Sequence, residues 1–270
     1  MRSLVRGIPA VSLLAILIVP GAHAQGRGGR GAAAATQTVA PPGQAAKDVN
    51  GVWVRGGGRA GGRGSATSQW SPEVLPLTPA GQKQIDDNKP GKGPRAVPPA
   101  FGNDPMGGAN PPGLYRTLIY NRAWEMIQFP DRIVQLFEWA KIWRVIWTDG
   151  RPLPEDIPEG PYWYGYSVGK WEGDTLVVQT MALDERAWLD EWGTPYSPQA
   201  KFEERWRRVS KDKMELVLKI TDPTYYSKPW VSDPKTYTLQ PKGELIEMIF
   251  APMDEIQFNQ GIRDPAAGKK

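Results

Sequence analysis

The chain has 270 residues, with 33 basic and 29 acidic side chains, one histidine and no cysteine. Without thiols there is no disulfide framework and no cysteine nucleophile. The one histidine, His23, lies in an N-terminal leader, so a Ser-His-Asp triad and a Cys/His zinc site are excluded from the mature chain.

Residues 1–24 read as a signal peptide. Arg2 and Arg6 charge its start, IPAVSLLAILIVP is apolar but too short to span a bilayer, and Ala22-His23-Ala24 forms a cleavage site before Gln25. No later run is long and apolar enough to cross a membrane. The expectation is a soluble protein, periplasmic or extracellular after cleavage near Ala24. The mature chain keeps 31 basic against 29 acidic residues, a net +2. Residues 25–64 carry +5 of this, leaving the body near −3.

Residues 25–47 (QGRGGRGAAAATQTVAPPGQAAK) hold almost no large apolar side chain, and a disordered basic linker is expected. A single domain is expected over 48–270. DVNGVWV (48–54) is a first strand, interrupted by a Gly-rich insertion at 55–66. These stretches resemble RGG repeats, which bind RNA by charge and stacking. In an exported chain they read as linkers, and no nucleic-acid partner is expected. LTPAGQKQIDDNKPG (77–91) is one short helix, capped by Thr78, started by Pro79 and stopped by Pro90-Gly91. A long Pro/Gly loop covers 89–113.

Strands are then expected at 117–120, 124–129, 132–139, 141–147, 163–171, 174–180, 201–209, 213–221, 235–240 and 244–250. The turns between them include Pro130-Asp131, Thr148-Asp149-Gly150, Glu172-Gly173-Asp174 and Lys211-Asp212. The clearest is 213–220, where Met214, Leu216, Leu218 and Ile220 alternate with polar residues. Spacings are short, and no long helical pattern intervenes, so neighbours are expected to be antiparallel. The fold class is all-β: an antiparallel up-and-down barrel, lipocalin-like, with one short helix; a β-sandwich is the alternative.

The motifs IWTDGRPLP (146–154), WYGYSVGKWEGDTLVVQT (163–180), WLDEWGTPYS (188–197), ERWRRV (204–209), ITDPTYYSKPW (220–230) and FNQGIRDPAAGK (258–269) come in the order of an uncharacterised family of exported proteins abundant in soil bacteria. The chain resembles that family over 48–269, with NDPMGGANPPGLYR (103–116) fitting its upstream part. The resemblance implies export and brings no activity with it. Relatives often carry histidine where this chain has Tyr196, and cysteine near Ala109.

Candidate chemistry centres on KFEERWRRV (201–209). Strand alternation turns Phe202, Glu204, Trp206 and Arg208 to one side, so the two aromatics carry Glu204 and Arg208 into the barrel. Buried charges need partners or a wet cavity. Either the pair braces the barrel, or Arg208 fixes the polar end of a ligand beside Trp206 with Glu204 as a general base. In WYGYSVGKWEGDTLVV, Gly173 and Asp174 serve the hairpin turn, and Tyr164 and Tyr166 share a face. LDERAWLDEWGTPYS offers Asp184, Asp190 and Tyr196 as rim residues, and DPTYYSKPW offers Tyr225, Tyr226 and Lys228. In WTDGR, Asp149 and Arg151 read as turn and surface residues. No EF-hand spacing exists, and neither metal nor cofactor is expected.

The leading expectation is an exported binding protein for a small, partly aromatic or glycosidic molecule that enters between loops 181–200 and 222–233. The alternatives are a cofactor-independent hydrolase, lyase or isomerase in the same pocket, and a structural or interaction protein of the envelope.

Overall fold

The computed structural model describes residues 47–56, 67–97, 102–108, 110–157, 160–248, 257, 259–266 and 268. The leader, nearly all of the linker and most of the Gly-rich insertion lie outside these residues.

Among the described residues ten strands form: β1 (Gly51–Arg55), β2 (Trp124–Gln128), β3 (Arg132–Phe137), β4 (Trp143–Trp147), β5 (Tyr166–Glu172), β6 (Thr175–Met181), β7 (Lys201–Ser210), β8 (Lys213–Thr221), β9 (Trp230–Val231) and β10 (Lys235–Leu239). They neighbour one another in sequence order from β1 to β8, and β10 closes the ring by pairing with both β1 and β8. The all-β barrel expected from the strand pattern is therefore what forms. β9 is a two-residue stub on β8 that the sequence did not announce.

The closed barrel has nine strands, and an odd ring cannot alternate direction all the way round. One neighbouring pair must be parallel. That pair is β4–β5, joined only at Ile146–Ser167 and Trp147–Val168, where purely antiparallel neighbours were expected. The connection 148–165 returns along the barrel so that β5 can start at the same end as β4. The outer face of this seam is braced by Arg151, which stacks on Trp147 at 3.8 Å and pairs with Asp149 at 2.6 Å.

The two ends of the barrel differ. At one end the turns are tight: 129–131 between β2 and β3, 173–174 between β5 and β6, 211–212 between β7 and β8. Gly173 supplies the positive φ (63°) that its turn requires. The other end carries the long connections after β1, β6 and β8. The first contains α1 (Pro79–Asp87) and α2 (Leu114–Ile119). Thr78 caps α1 by accepting from the Gly81 amide at 3.1 Å, and Pro79 sits in its first turn, as expected.

α2 occupies 114–119, where a strand at 117–120 was expected. A short apolar run does not distinguish strand from helix. Gly113 (φ 80°) redirects the chain, and Thr117 Oγ1 donates to the Gly113 carbonyl at 2.7 Å. All six α2 residues are buried, because the helix plugs the barrel mouth. Tyr237 Oη donates to the Leu118 carbonyl at 2.9 Å, and Arg55 Nη1 to that of Ile119 at 2.5 Å. The strand expected at 244–250 does not form over its described part. Met248 makes a single bridge to Trp139, and 249–250 lie outside the described residues.

Candidate functional site

Alternation on β7 turns Phe202, Glu204 and Trp206 inward, as expected, and all three are buried. Glu204 has 0% exposure, and its partner is Arg144 on β4. The guanidinium and carboxylate meet in a fork, Nη2–Oε1 at 2.7 Å and Nη1–Oε2 at 3.0 Å. Oε1 also accepts from Tyr115 Oη of α2 at 3.0 Å and from Thr180 Oγ1 at 3.3 Å, and Oε2 from Trp206 Nε1 at 2.9 Å. Arg144 donates onward to Ser167 Oγ at 3.0 Å and Thr180 Oγ1 at 2.9 Å. The carboxylate thus accepts five hydrogen bonds, enough to offset its desolvation. It has neither a free lone pair nor a solvent path for a substrate.

Below this cluster the barrel is filled with rings. Trp124 contacts Tyr237 at 5.0 Å and Trp206 at 5.4 Å between ring centres, and Tyr115 contacts Phe202 at 4.5 Å. Trp53, Trp124, Trp206 and Tyr237 are all buried. Trp206 is a core residue, and the space expected to hold a ligand is occupied.

Arg208 does not join Glu204. Four strand residues separate their Cα atoms by about 13 Å, with Trp206 between. Arg208 turns to the tight-turn end instead, over the Trp53 ring at 5.4 Å, donating to the Asp48 carbonyl at 2.8 Å and the Lys211 carbonyl at 2.5 Å. The guanidinium expected to fix a ligand is instead taken up by the Asp48 and Lys211 carbonyls. Arg144 escaped the sequence reading because KIWRVIW suggests Trp143 and Trp147 inward. In the barrel Trp143 is 64% exposed, and the inward set is Arg144 and Ile146.

The remaining expected residues fall into two groups. Tyr164 and Tyr166 do not share a strand face: Gly165 (φ 66°) ends a turn, and a Cβ there would meet the Met181 carbonyl at 2.8 Å. Tyr164 is half-buried, and burial pushes its phenol pKa up. Tyr166 opens β5, its Oη accepting from Arg151 Nη1 at 3.3 Å. Tyr226 is buried, its Oη donating to the Pro195 carbonyl at 2.8 Å, and Lys228 is exposed. Asp190 has 0% exposure and is a structural knot. Its carboxylate accepts from Ser68 Oγ (2.6 Å), the Gln69, Trp192 and Thr194 amides (2.9, 2.9 and 3.1 Å) and Thr194 Oγ1 (2.7 Å).

Tyr196, Tyr225 and the neighbours of Asp184 meet at the rim. Arg186, which bonds both its oxygens, lowers the pKa of Asp184 below its usual value. Tyr196 Oη donates to the Asp184 carbonyl at 2.7 Å, and burial pushes its pKa far up. Asp222, which the sequence reading passed over, ties the two rim loops. It accepts from the Ser197 amide at 2.8 Å and Ser197 Oγ at 2.7 Å, and from the Thr224 amide at 3.1 Å. α1 docks on the second loop, with Thr78 Oγ1 donating to the Thr224 carbonyl at 2.6 Å. Gly81 is required in this contact, since a Cβ would sit 2.1 Å from the Tyr225 oxygen.

These contacts frame a cleft of 510 Å³ lined by α1 (Gln84, Asn88), the segment 103–110 (Asn103, Pro105, Asn110), the first rim loop (Glu185, Arg186, Trp188, Pro195, Tyr196) and Tyr225. Asn88 and Asn103 are committed to backbone partners, Asn88 Nδ2 to the Gly193 carbonyl and Asn103 Nδ2 to that of Asp87. The Glu185 carboxylate and the Asn110 side-chain carboxamide make no hydrogen bond or ion pair among the described residues. A second cleft of 440 Å³ lies on the other side of the turn Pro105–Gly108, and Asp104 and Met106 line it. Neither Glu204 nor any residue that hydrogen-bonds to it lines either cleft. Among the described residues no cluster of three carboxylates is placed to hold a metal ion, and no helix is long and apolar enough to cross a membrane.

Lys235 on β10 is buried, and its ammonium makes no hydrogen bond or ion pair among the described residues. Burial, then the charge of Arg55, push its pKa from 10.5 down to about 8, against weaker pulls from Asp233 and Asp190. Between those values the unfolded chain holds a proton that the fold has released, so stability rises with pH. Above pH 10 the sign reverses. Burial raises the phenols of Tyr115, Tyr196, Tyr226 and Tyr237 above their usual 10.0, so the fold keeps protons that the unfolded chain loses. Urea midpoints should therefore rise from pH 8 to 10 and fall beyond, and Lys235→Met should remove the rise alone.

No family model, curated protein or solved structure matches this chain.

Proposed function

We propose that this is an exported protein that binds a small glycosidic or partly aromatic molecule at the rim of its barrel, in the 510 Å³ cleft rather than in the barrel. The supporting observation is the chemistry of that cleft. Tyr225, Tyr196 and Trp188 supply flat apolar walls, while Glu185 and Asn110 present polar groups that no protein group among the described residues claims. Flat faces with outward-pointing hydroxyls, as on a sugar ring, answer both features. Asp190 and Asp222 hold the two rim loops still, so little ordering cost falls on binding. The place of the cleft, between loops 182–200 and 222–226, is where the sequence motifs had concentrated their aromatics. The resemblance to exported soil-bacterial proteins is part of this reading. Catalysis by Glu204 is not, since its carboxylate is fully engaged.

Calorimetry with 4-nitrophenyl β-glucoside, cellobiose and a plain phenol on the chain from residue 48 tests the proposal. One of these should bind, and Glu185→Gln should weaken it about tenfold through loss of a charged acceptor. An absence of heat with all three, or binding indifferent to Glu185, would overturn it.

A further inference from the structure

The second cleft has a different chemistry, and we propose that it is a separate site for a planar aromatic carboxylate. Its walls are Tyr120 and Trp139, set edge to face with ring centres 5.6 Å apart, and Met106, whose sulfur accepts from Tyr120 Oη at 3.3 Å. Aromatic edges and a polarisable thioether receive a flat ring without demanding hydrogen bonds. Three cations line the cleft, Lys92, Arg116 and Arg122, against two carboxylates, Asp104 and Glu191, leaving one positive charge in excess.

The three cations are not equivalent. Arg116 is buried and committed, donating to both Asp104 oxygens at 2.8 and 2.6 Å and to Tyr120 Oη at 2.8 Å. Lys92 pairs with Glu191 at 2.7 Å. Arg122 is exposed and makes no ion pair or hydrogen bond among the described residues. It is the excess charge, and its planar fork matches a carboxylate in two bonds. Arg116 fixes the pocket floor: with Asp104 it ties α2 to the turn Pro105–Gly108. The cleft's 440 Å³ is generous for one ring and suits two fused ones. Glu191 flanks the knot at Asp190, so the loop that frames the glycoside cleft also shapes this one.

Calorimetry with 2-naphthoate as probe, and with 2-naphthamide as its neutral isostere, reads the site directly. Naphthoate should bind at least tenfold more tightly than the amide, and raising the salt should weaken only the acid. Arg122→Gln should bring the acid down to the affinity of the amide, and Arg122→Glu should abolish binding of the acid. Arg122 is exposed and has no partner among the described residues, so both variants should unfold at the wild-type temperature. Equal affinity for acid and amide would overturn the proposal. So would naphthoate binding that survives Arg122→Glu, which would place the probe away from this arginine.

Discussion

Glu204→Gln should destabilise the fold by about 3–5 kcal/mol, among the largest losses available to any single substitution in this chain. The amide preserves the shape of the side chain, so the loss is electrostatic. Arg144, with a side chain 1% exposed, would keep its charge and lose the only carboxylate that pairs with it among the described residues. Trp206 Nε1 and Tyr115 Oη bond different oxygens, so one would face a neutral carbonyl and the other an NH₂ group that accepts nothing. Arg144→Met should cost a similar amount, by leaving the carboxylate unpaired. The double variant Arg144→Met/Glu204→Met should recover at least half of either loss, because no lone buried charge remains. Urea unfolding of the wild type, Arg144→Met, Glu204→Met and the double variant gives the four stabilities of a closed cycle, and since two losses of about 3–5 kcal/mol each shrink to at most about half of one, a coupling of at least about 4 kcal/mol is expected. A Glu204→Gln loss below about 1 kcal/mol would mean that the pair is solvated and that the interior is open.

Asp190→Asn should cost about 2–4 kcal/mol, lowering the midpoint of thermal unfolding by roughly 5–15 °C for a body of this size. The ionised aspartate is an acceptor only, and every group around it is a donor: two hydroxyls and three amides. An asparagine would turn an NH₂ group toward some of those donors. The damage should also reach the rim, because this carboxylate joins Ser68 and Gln69 to the loop bearing Trp188 and Tyr196. Glycoside affinity should fall together with stability in Asp190→Asn, whereas Glu185→Gln should lower affinity alone. That contrast separates a residue that builds the cleft from one that touches what fills it.

Much of the wall was legible in the sequence because strand alternation is a local property. Met214, Leu216, Leu218 and Ile220 announce one buried face, and the same parity places Phe202, Glu204 and Trp206 inside. What it could not supply was the partner. Glu204 pairs with Arg144 across the barrel, and no pattern within KIWRVIW turns an arginine inward in preference to two tryptophans. Likewise, the parallel β4–β5 seam follows from an odd strand count, which is a property of the whole ring. LYRTLI was misread because a run of that length fits a strand or a helix equally well, and only the empty barrel mouth decides between them.

The rim acids were a different kind of miss. Asp190, followed by Thr194, and Asp222, followed by Thr224, sit in loops where a carboxylate can bind the amides of its own turn, and that local chemistry claims both before any ligand can. The polar groups left over in the cleft belong to Glu185 and Asn110. Neither stood out by spacing, and the fold alone brings them together.

A packed barrel with binding confined to its rim makes a direct demand on two variants, Arg144→Met/Glu204→Met and Glu185→Gln. The measurement is the affinity of each for the bound glycoside. Emptying the interior of charge should leave the dissociation constant within about twofold, and Glu185→Gln should raise it about tenfold. If instead the interior swap abolishes binding while Glu185→Gln leaves it unchanged, the ligand sits inside the barrel and the rim cleft is not its site.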